Sequence, residues 1–255
     1  MPEPVSSEPI ATLRPEGCLP LPPVRTIRDF YAFEQHVKTC RAQRGLDMVR
    51  QWYEIPVFYF SNPHSVIGDG DVVIPPRLTH ELDFELEIAA VIGTEACDLR
   101  ADDSALECVA GFTIYNDWSA RDLQRQEMAV GLGPSKGKDF ANALGPWLVP
   151  TSMLMDRYRD GRLELEMTAR INGRTVSRGN ASSMHWTWPQ LLAHASRDAR
   201  LLPGDVIGSG TVGTGCILEL TPDAVGGWLQ PGDVVELCIE RLGTLTNRVG
   251  PKKDS

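Results

Sequence analysis

Leu82-Asp83-Phe84-Glu85-Leu86-Glu87-Ile88 alternates apolar and acidic residues, and a period of two is the signature of a β-strand. Phe84, Leu86 and Ile88 then face a core, while Asp83, Glu85 and Glu87 share the opposite face. Three like charges in a row repel unless a cation or water separates them. Hard oxygen donors without His or Cys beside them suit Mg²⁺, Mn²⁺ or Ca²⁺ rather than zinc. A solvated acidic strand face is the plainer alternative, and this segment alone leaves both open.

Outward from this stretch the chain reads mostly as short strands punctuated by Gly and Pro. Strands are expected at Ile55 to Phe60, Asp71 to Pro75, Glu85 to Gly93, Leu163 to Ile171 and Asp233 to Ile239. Asn172-Gly173 after Ile171 is a preferred hairpin turn. Helices are few. Ile27, Phe30, Tyr31, Phe33 and Val37 recur at three- and four-residue steps, which predicts a helix from Ile27 to Arg44 with Gly45 as its stop. Others are expected at Ser104 to Glu107, Asp117 to Met128 and Trp188 to Ser196, the last with Thr187 as N-cap and Pro189 in its first turn. The lack of regular βαβ alternation argues against a doubly wound nucleotide fold. The expected class is α+β and mostly β, a mixed β-roll or sandwich with peripheral helices. Residues 1–25, rich in Pro, Ser and Glu, read as an extended arm ahead of one catalytic domain at 26–255.

A chain of 255 residues with 42% hydrophobic and 23% charged residues has enough apolar material for a full core. Its net charge of −9 argues against a nucleic-acid surface. No apolar run is long enough for a membrane span, and Met1-Pro2-Glu3-Pro4 does not open a secretion signal. The six cysteines form no C-x-x-C pair, so the expectation is reduced, mostly buried thiols in a cytoplasmic protein, with neither a zinc site nor a disulfide framework.

Three further segments carry chemistry. On a helix from Asp117 to Met128, Asp117, Arg121 and Gln124 fall at i, i+4 and i+7, either as one end of a polar pocket or as an exposed face with an ion pair. Gly131-Leu132-Gly133-Pro134-Ser135-Lys136-Gly137-Lys138 lets a lysine approach an oxyanion, or is a plain surface loop. Ser209-Gly210-Thr211-Val212-Gly213-Thr214-Gly215 offers backbone N–H groups for a carboxylate nest, or a simple turn. Among five histidines, His36 alone lies on a helical pattern with Asp29, seven residues earlier.

Together, L-D-F-E-L-E-I-A, N-D-W-S-A-R-D-L-Q, L-G-P-S-K-G-K-D-F and G-S-G-T followed by I-L-E-L resemble, in their order, the fumarylacetoacetate hydrolase family. D-F-Y-x-x-x-Q-H at Asp29 to His36 and P-V-x-Y at Pro56 to Tyr59 extend the resemblance over roughly residues 29 to 240. It implies the fold of the fumarylacetoacetase C-terminal domain and a divalent cation, Mg²⁺ first with Mn²⁺ or Ca²⁺ as alternatives, held by Asp29, Glu85, Glu87 and Asp117. Asp83 matches an acid beside the ligands. His36 looks like the general base, Glu219 the carboxylate orienting it, and Arg121, Gln124 and Lys138 the oxyanion holders. Tyr31, Tyr59 and Thr211 fall at substrate-contacting positions. Arg41 and Arg44 straddle the place of the family's substrate-binding arginine, and Met128 stands where a second tyrosine is usual. The resemblance implies a homodimeric hydrolase cleaving a C–C bond in a 1,3-diketo acid of the fumarylacetoacetate or acylpyruvate kind. Relatives on the same site decarboxylate, isomerise or dehydrate 2-oxo acids, and an inert metal-binding module is a third reading.

Overall fold

In the computed structural model, which describes residues 14–253, the acidic stretch divides into two strands linked by Phe84 and Glu85. In chain order the elements are β1 (Ile27–Phe30), α1 (Glu34–Ala42), β2 (Phe58–Ser61), β3 (Val66–Ile67), β4 (Val72–Val73), β5 (Leu82–Asp83) and β6 (Leu86–Ile92). Next come β7 (Val109–Asp117), β8 (Ser119–Ala120), α2 (Arg121–Val130), β9 (Asn142–Pro150), β10 (Tyr158–Arg159), β11 (Arg162–Leu163), β12 (Glu166–Ile171) and β13 (Arg174–Asn180). The chain ends with α3 (Trp188–Ser196), β14 (Val206–Gly208), α4 (Ile217–Leu220), α5 (Pro222–Val225), β15 (Val234–Ile239) and β16 (Gly243–Val249). A seven-stranded sheet runs β2-β1-β14-β6-β7-β9-β3, and a five-stranded one β13-β12-β15-β16-β4. The fold is thus α+β and mostly sheet, with a few helices at its periphery. Among the described residues no helix is long and apolar enough to cross a membrane.

Strand β6 lies inside the larger sheet and is buried along its whole length. Phe84, Leu86, Ile88, Ala90 and Ile92 join the main core, with Phe112, Ile114, Trp118 and Trp188. Burial of each large side chain there contributes about 1.5–3 kcal/mol. On the other face, Ala89 and Val91 meet Ile27, Tyr115, Leu144 and Leu148 in a smaller cluster. Glu87 shares that second face by alternation, so one face of one strand changes from acid to hydrocarbon within two residues. The same change occurs from Ile27 to Asp29 in β1 and from Tyr115 to Asp117 in β7. The acids therefore gather at one end of the sheet.

Several expected elements are corrected. Ile27 to Arg44 is not one helix: Ile27–Phe30 pairs in parallel with β14 and antiparallel with β2, and the helix occupies only Glu34–Ala42. Both faces of β1 are buried, which hides its alternation and leaves spacing that imitates a helix. Asp29 and His36 thus sit on different elements. Asp117 ends β7 rather than opening a helix, and the helix starts at Arg121. Ser104 to Glu107 falls within a 3₁₀ turn at Asp103–Cys108. The expected strand at Ile55 shortens to Phe58–Ser61, that at Asp71 to Val72–Val73, and Leu163 to Ile171 is broken before Glu166. The Asn172-Gly173 hairpin is present, both residues at positive φ, as is helix α3 with a Thr187–Gln190 capping box. Of the expected arm, residues 1–13 lie outside the described residues. Residues 14–25 contain no helix, and Leu19 exchanges backbone hydrogen bonds with Leu148 at 2.8 and 2.9 Å.

Candidate active site

Strands β1, β14, β6 and β7 are adjacent, and their ends bring Asp29, Glu87 and Asp117 together with Glu85 from the link before β6. Asp29, Glu85 and Glu87 each offer a carboxylate oxygen within 4.8 Å of the others, and all three are buried. Asp117 lies outside this tight group and joins it through two side chains. The Tyr59 hydroxyl bridges the two carboxylates, hydrogen-bonded to Asp29 Oδ2 at 2.8 Å and in short contact with Asp117 Oδ2. Lys138 Nζ donates to Glu85 Oε2 and Asp117 Oδ2, both at 2.6 Å.

Gly208 of β14 stands between the acid-bearing strands, in register with Asp29 and Ala89. A Cβ there would come within 2.4 Å of Asp29 Oδ1 and 3.1 Å of Tyr115 Cε1. The Glu87 carboxylate accepts from Gly210 N at 3.0 Å and Thr211 Oγ1 at 3.3 Å, so the glycine-rich nest holds the protein's own carboxylate. Asn116 Oδ1 fixes Glu85 by accepting from its backbone N–H at 2.9 Å. Asp29 Oδ1 and Asp117 Oδ1 are buried with no hydrogen-bond partner. Oxygen-only donors, two unmatched acceptors and a space kept open by glycine fit a hard divalent cation.

The charge balance agrees. Burial, then Asp117, pushes Asp29 up to about 7. Burial and Asp29 raise Glu87 well above the carboxylate range. Glu85 differs: burial acts to raise it, but Lys138 and Arg121 together hold it down at about 2. Crowded acids of this kind need a positive charge among them.

His36 is on the buried face of α1, and its Nδ1 lies 2.9 Å from Glu219 Oε2. Burial acts to lower His36, yet hydrogen bonding to Cys216 and Glu219 carries it up to about 10. Asp83 explains how Glu219 is held: its carboxylate accepts from Ile217 N at 2.7 Å and Leu218 N at 3.0 Å at the start of α4. Asp83 also accepts from Arg121 Nε at 2.8 Å, and Arg121 Nη2 lies 2.8 Å from Glu85 Oε1. Arg121 in turn donates to Gln124 Oε1 at 3.0 Å, so these two share a helix face as expected and only Asp117, on β7, lies off it. The lysine loop is pinned to α2 because Ser135 N and Gly137 N donate to the Glu127 carboxylate.

A cavity of about 720 Å³ opens onto this assembly, lined by Asp29, Tyr31, His36, Tyr59, Glu85, Glu87, Arg121, Gln124, Lys138 and Thr211, with Asp117 and Glu219 behind them. Tyr31 meets the His36 ring edge-on at 5.4 Å. Tyr59 and Thr211, expected to face substrate, have their hydroxyls on the acids. Arg44 lines the cavity, whereas Arg41 donates to Asp47 O at 2.6 Å on the exposed side of the helix end. Arg125 and Phe58 line it too, and sequence reasoning missed both; Arg125, one residue past Gln124 on the same helix, was within reach of helical spacing. Arg125 is already committed to Glu81 by a two-point contact at 2.6 and 2.7 Å.

The Fumarylacetoacetate (FAA) hydrolase C-terminal family profile matches residues 25–250. The chain belongs to the fumarylacetoacetate hydrolase family. An oxaloacetate tautomerase of Bacillus subtilis is 35% identical over 201 residues, 77% of this chain and 62% of the relative. The fumarylacetoacetase of Arabidopsis thaliana is 31% identical over 242 residues, 76% of this chain and 57% of the relative. The chain therefore spans only about three-fifths of either relative. Among solved structures, a 5-carboxymethyl-2-hydroxymuconate delta-isomerase from Mycobacterium smegmatis superposes with a TM-score of 0.72 at 28% identity, covering 93% of this chain and 83% of that one. Family members thus include hydrolases, isomerases and tautomerases.

Proposed function

We propose that this family member is a divalent-metal-dependent hydrolase that cleaves a C–C bond in a 1,3-diketo acid of the fumarylacetoacetate or acylpyruvate kind. The observation carrying the choice is the His36–Glu219 pair, 2.9 Å apart, with His36 opening on the same cavity as the acids. A base held in place by a carboxylate is what deprotonation of a water molecule requires.

Asp29, Glu85, Glu87 and Asp117 would hold the cation, Mg²⁺ first, with Mn²⁺ or Ca²⁺ as alternatives. Bound there, it would polarise the substrate's oxo oxygens, steady the enolate product and oppose protonation of His36. His36, oriented by Glu219, takes a proton from water as the hydroxide adds to the distal carbonyl. Arg121, Gln124 and Lys138 supply positive charge and hydrogen-bond donors to the oxyanion. Collapse breaks the C–C bond, and the imidazolium returns its proton to the departing enolate carbon. Arg44 faces the cavity with no carboxylate partner among the described residues and suits the substrate's remote carboxylate. Tyr31 stands edge-on to His36, while Tyr59 and Thr211 act through the acids they touch. We further propose that residues 26–255 act as one catalytic unit in a cytoplasmic homodimer, which sedimentation velocity tests.

With Mg²⁺ or Mn²⁺, the protein is expected to bleach the enol band of an acylpyruvate and release two acids, and His36→Ala to abolish this while metal affinity stays. The second reading, tautomerisation or decarboxylation of a 2-oxo acid, is favoured by the likeness to an oxaloacetate tautomerase. It gains if oxaloacetate turns over and no diketone is cleaved. Inactivity on both classes leaves the inert metal-binding module.

A further inference from the structure

Behind and around His36 lies a second group of donors, different in kind from the acids. His36 and Cys40 lie one turn apart on α1, and Cys216 and Glu219 lie three residues apart at the start of α4. A donor atom of each of His36, Cys40 and Cys216 lies within 4.8 Å of the other two, and all three residues are buried. Cys40 Sγ is 3.8 Å from His36 Nδ1 and 3.9 Å from Nε2. Cys216 Sγ is 3.9 Å from Glu219 Oε2, which is 2.9 Å from His36 Nδ1. Glu219 Oε1 is buried with no partner.

We propose that His36, Cys40 and Cys216 form a binding site for a thiophilic divalent cation of the zinc class, separate from the acid cluster, with Glu219 holding the His36 ring from Nδ1. With zinc bonds of 2.0–2.3 Å, neighbouring donors of a tetrahedral centre stand roughly 3.3–3.8 Å apart. The Cys40 sulfur, 3.8 and 3.9 Å from the two ring nitrogens, stands at the long end of that range, so a small closure of the three donors completes the centre. Two thiolates and an imidazole reject Mg²⁺ and select a softer ion, whereas the oxygen-only acids do the opposite. Three protein donors of N and S type leave the fourth tetrahedral position open to the cavity. His36 and Cys40 line the cavity, which gives the ion a way in. On binding, the two thiols release their protons and the cation takes the lone pair that His36 would otherwise lend to water. Hard and soft cations therefore act on one cavity with opposite sign. This inhibition rests on the role proposed for His36; the site itself does not.

The test adds Co²⁺ to the intact protein and reads the thiolate-to-cobalt charge-transfer absorption. One equivalent is expected to give the band, Zn²⁺ to remove it, and Mg²⁺ in excess to leave it. Cys40→Ser and Cys216→Ser should each weaken Co²⁺ binding on the order of a hundredfold, while Glu87→Gln keeps the band. Should a variant misfold, X-ray absorption at the zinc edge of the wild type decides, with two sulfur neighbours expected. No band at one equivalent, a band surviving in the double Cys variant, or an oxygen-only zinc shell overturns the proposal. In a zinc-free assay of diketone cleavage, one equivalent of Zn²⁺ should lower the rate at least about tenfold, and the rate Cys40→Ser retains should not respond to it. A cobalt band without any diketone cleavage leaves the site standing and removes the hydrolase reading. Cleavage indifferent to Zn²⁺ in a protein that shows the band overturns the inhibition.

Discussion

The seven-stranded and five-stranded sheets are made of similar short strands, yet they bury different things. In the smaller sheet, Met167, Ala169, Val235, Leu237, Ile239 and Leu245 fill the inward positions and polar residues alternate outward. In the larger, Asp29, Glu87 and Asp117 occupy positions that are no less buried. Burying hydrocarbon stabilises, while burying unpaired carboxylates is costly. The acids persist because Lys138, Arg121, Tyr59 and the Gly210 amide partly match them, which leaves a residual demand for positive charge. One sheet is scaffold; the other trades stability for a place to bind.

The sharpest break of that contrast is Glu87→Gln. Loss of one carboxylate is expected to lower turnover about a thousandfold, some 4 kcal/mol. The melting temperature of the metal-free protein should stay level or rise as repulsion with Asp29 is relieved; a large fall in thermal melting would make Glu87 scaffold after all. Leu237→Ala in the smaller sheet should do the converse. It is expected to cost about 2–5 kcal/mol in denaturant titrations with Mn²⁺ affinity unchanged by calorimetry. Gly208→Ala lies between them. The added methyl pushes against Asp29 Oδ1, and Mn²⁺ binding should weaken about 10–100-fold while the fold is retained. Gly173→Ala is the smallest change. At φ 78° the side chain strains the hairpin turn, which should lower stability by about 1 kcal/mol and leave turnover untouched.

Legibility in the sequence followed the same division. Asn172-Gly173, Thr187 as an N-cap, and β15 were readable because turn chemistry, capping and one-sided burial act over a few residues. Ile27–Phe30 was misread because burial on both faces erases alternation, and the partner that makes it a strand, β14, arrives about 180 residues later. Asp117 was misread because Trp118-Ser119-Ala120 separate the strand from the helix without a breaker. The candidate ligands were named on resemblance, since local spacing left both a solvated face and a metal site open. Cys40 and Cys216 gave no signal at all, as no short motif joins them.

The sequence by itself determined a mostly β chain with a full core, too acidic for a nucleic-acid surface, and the family to which it belongs. Tertiary structure alone decided that Asp29, Glu85 and Glu87 converge within reach of one ion, that Tyr59 and Lys138 tie Asp117 to them, and that His36 stands between Glu219 and two thiols. Short-range forces such as turn strain and capping are written in neighbouring residues. Which distant carboxylates, thiols and cations meet depends on sheet order and register, which exist only once the chain has closed on itself.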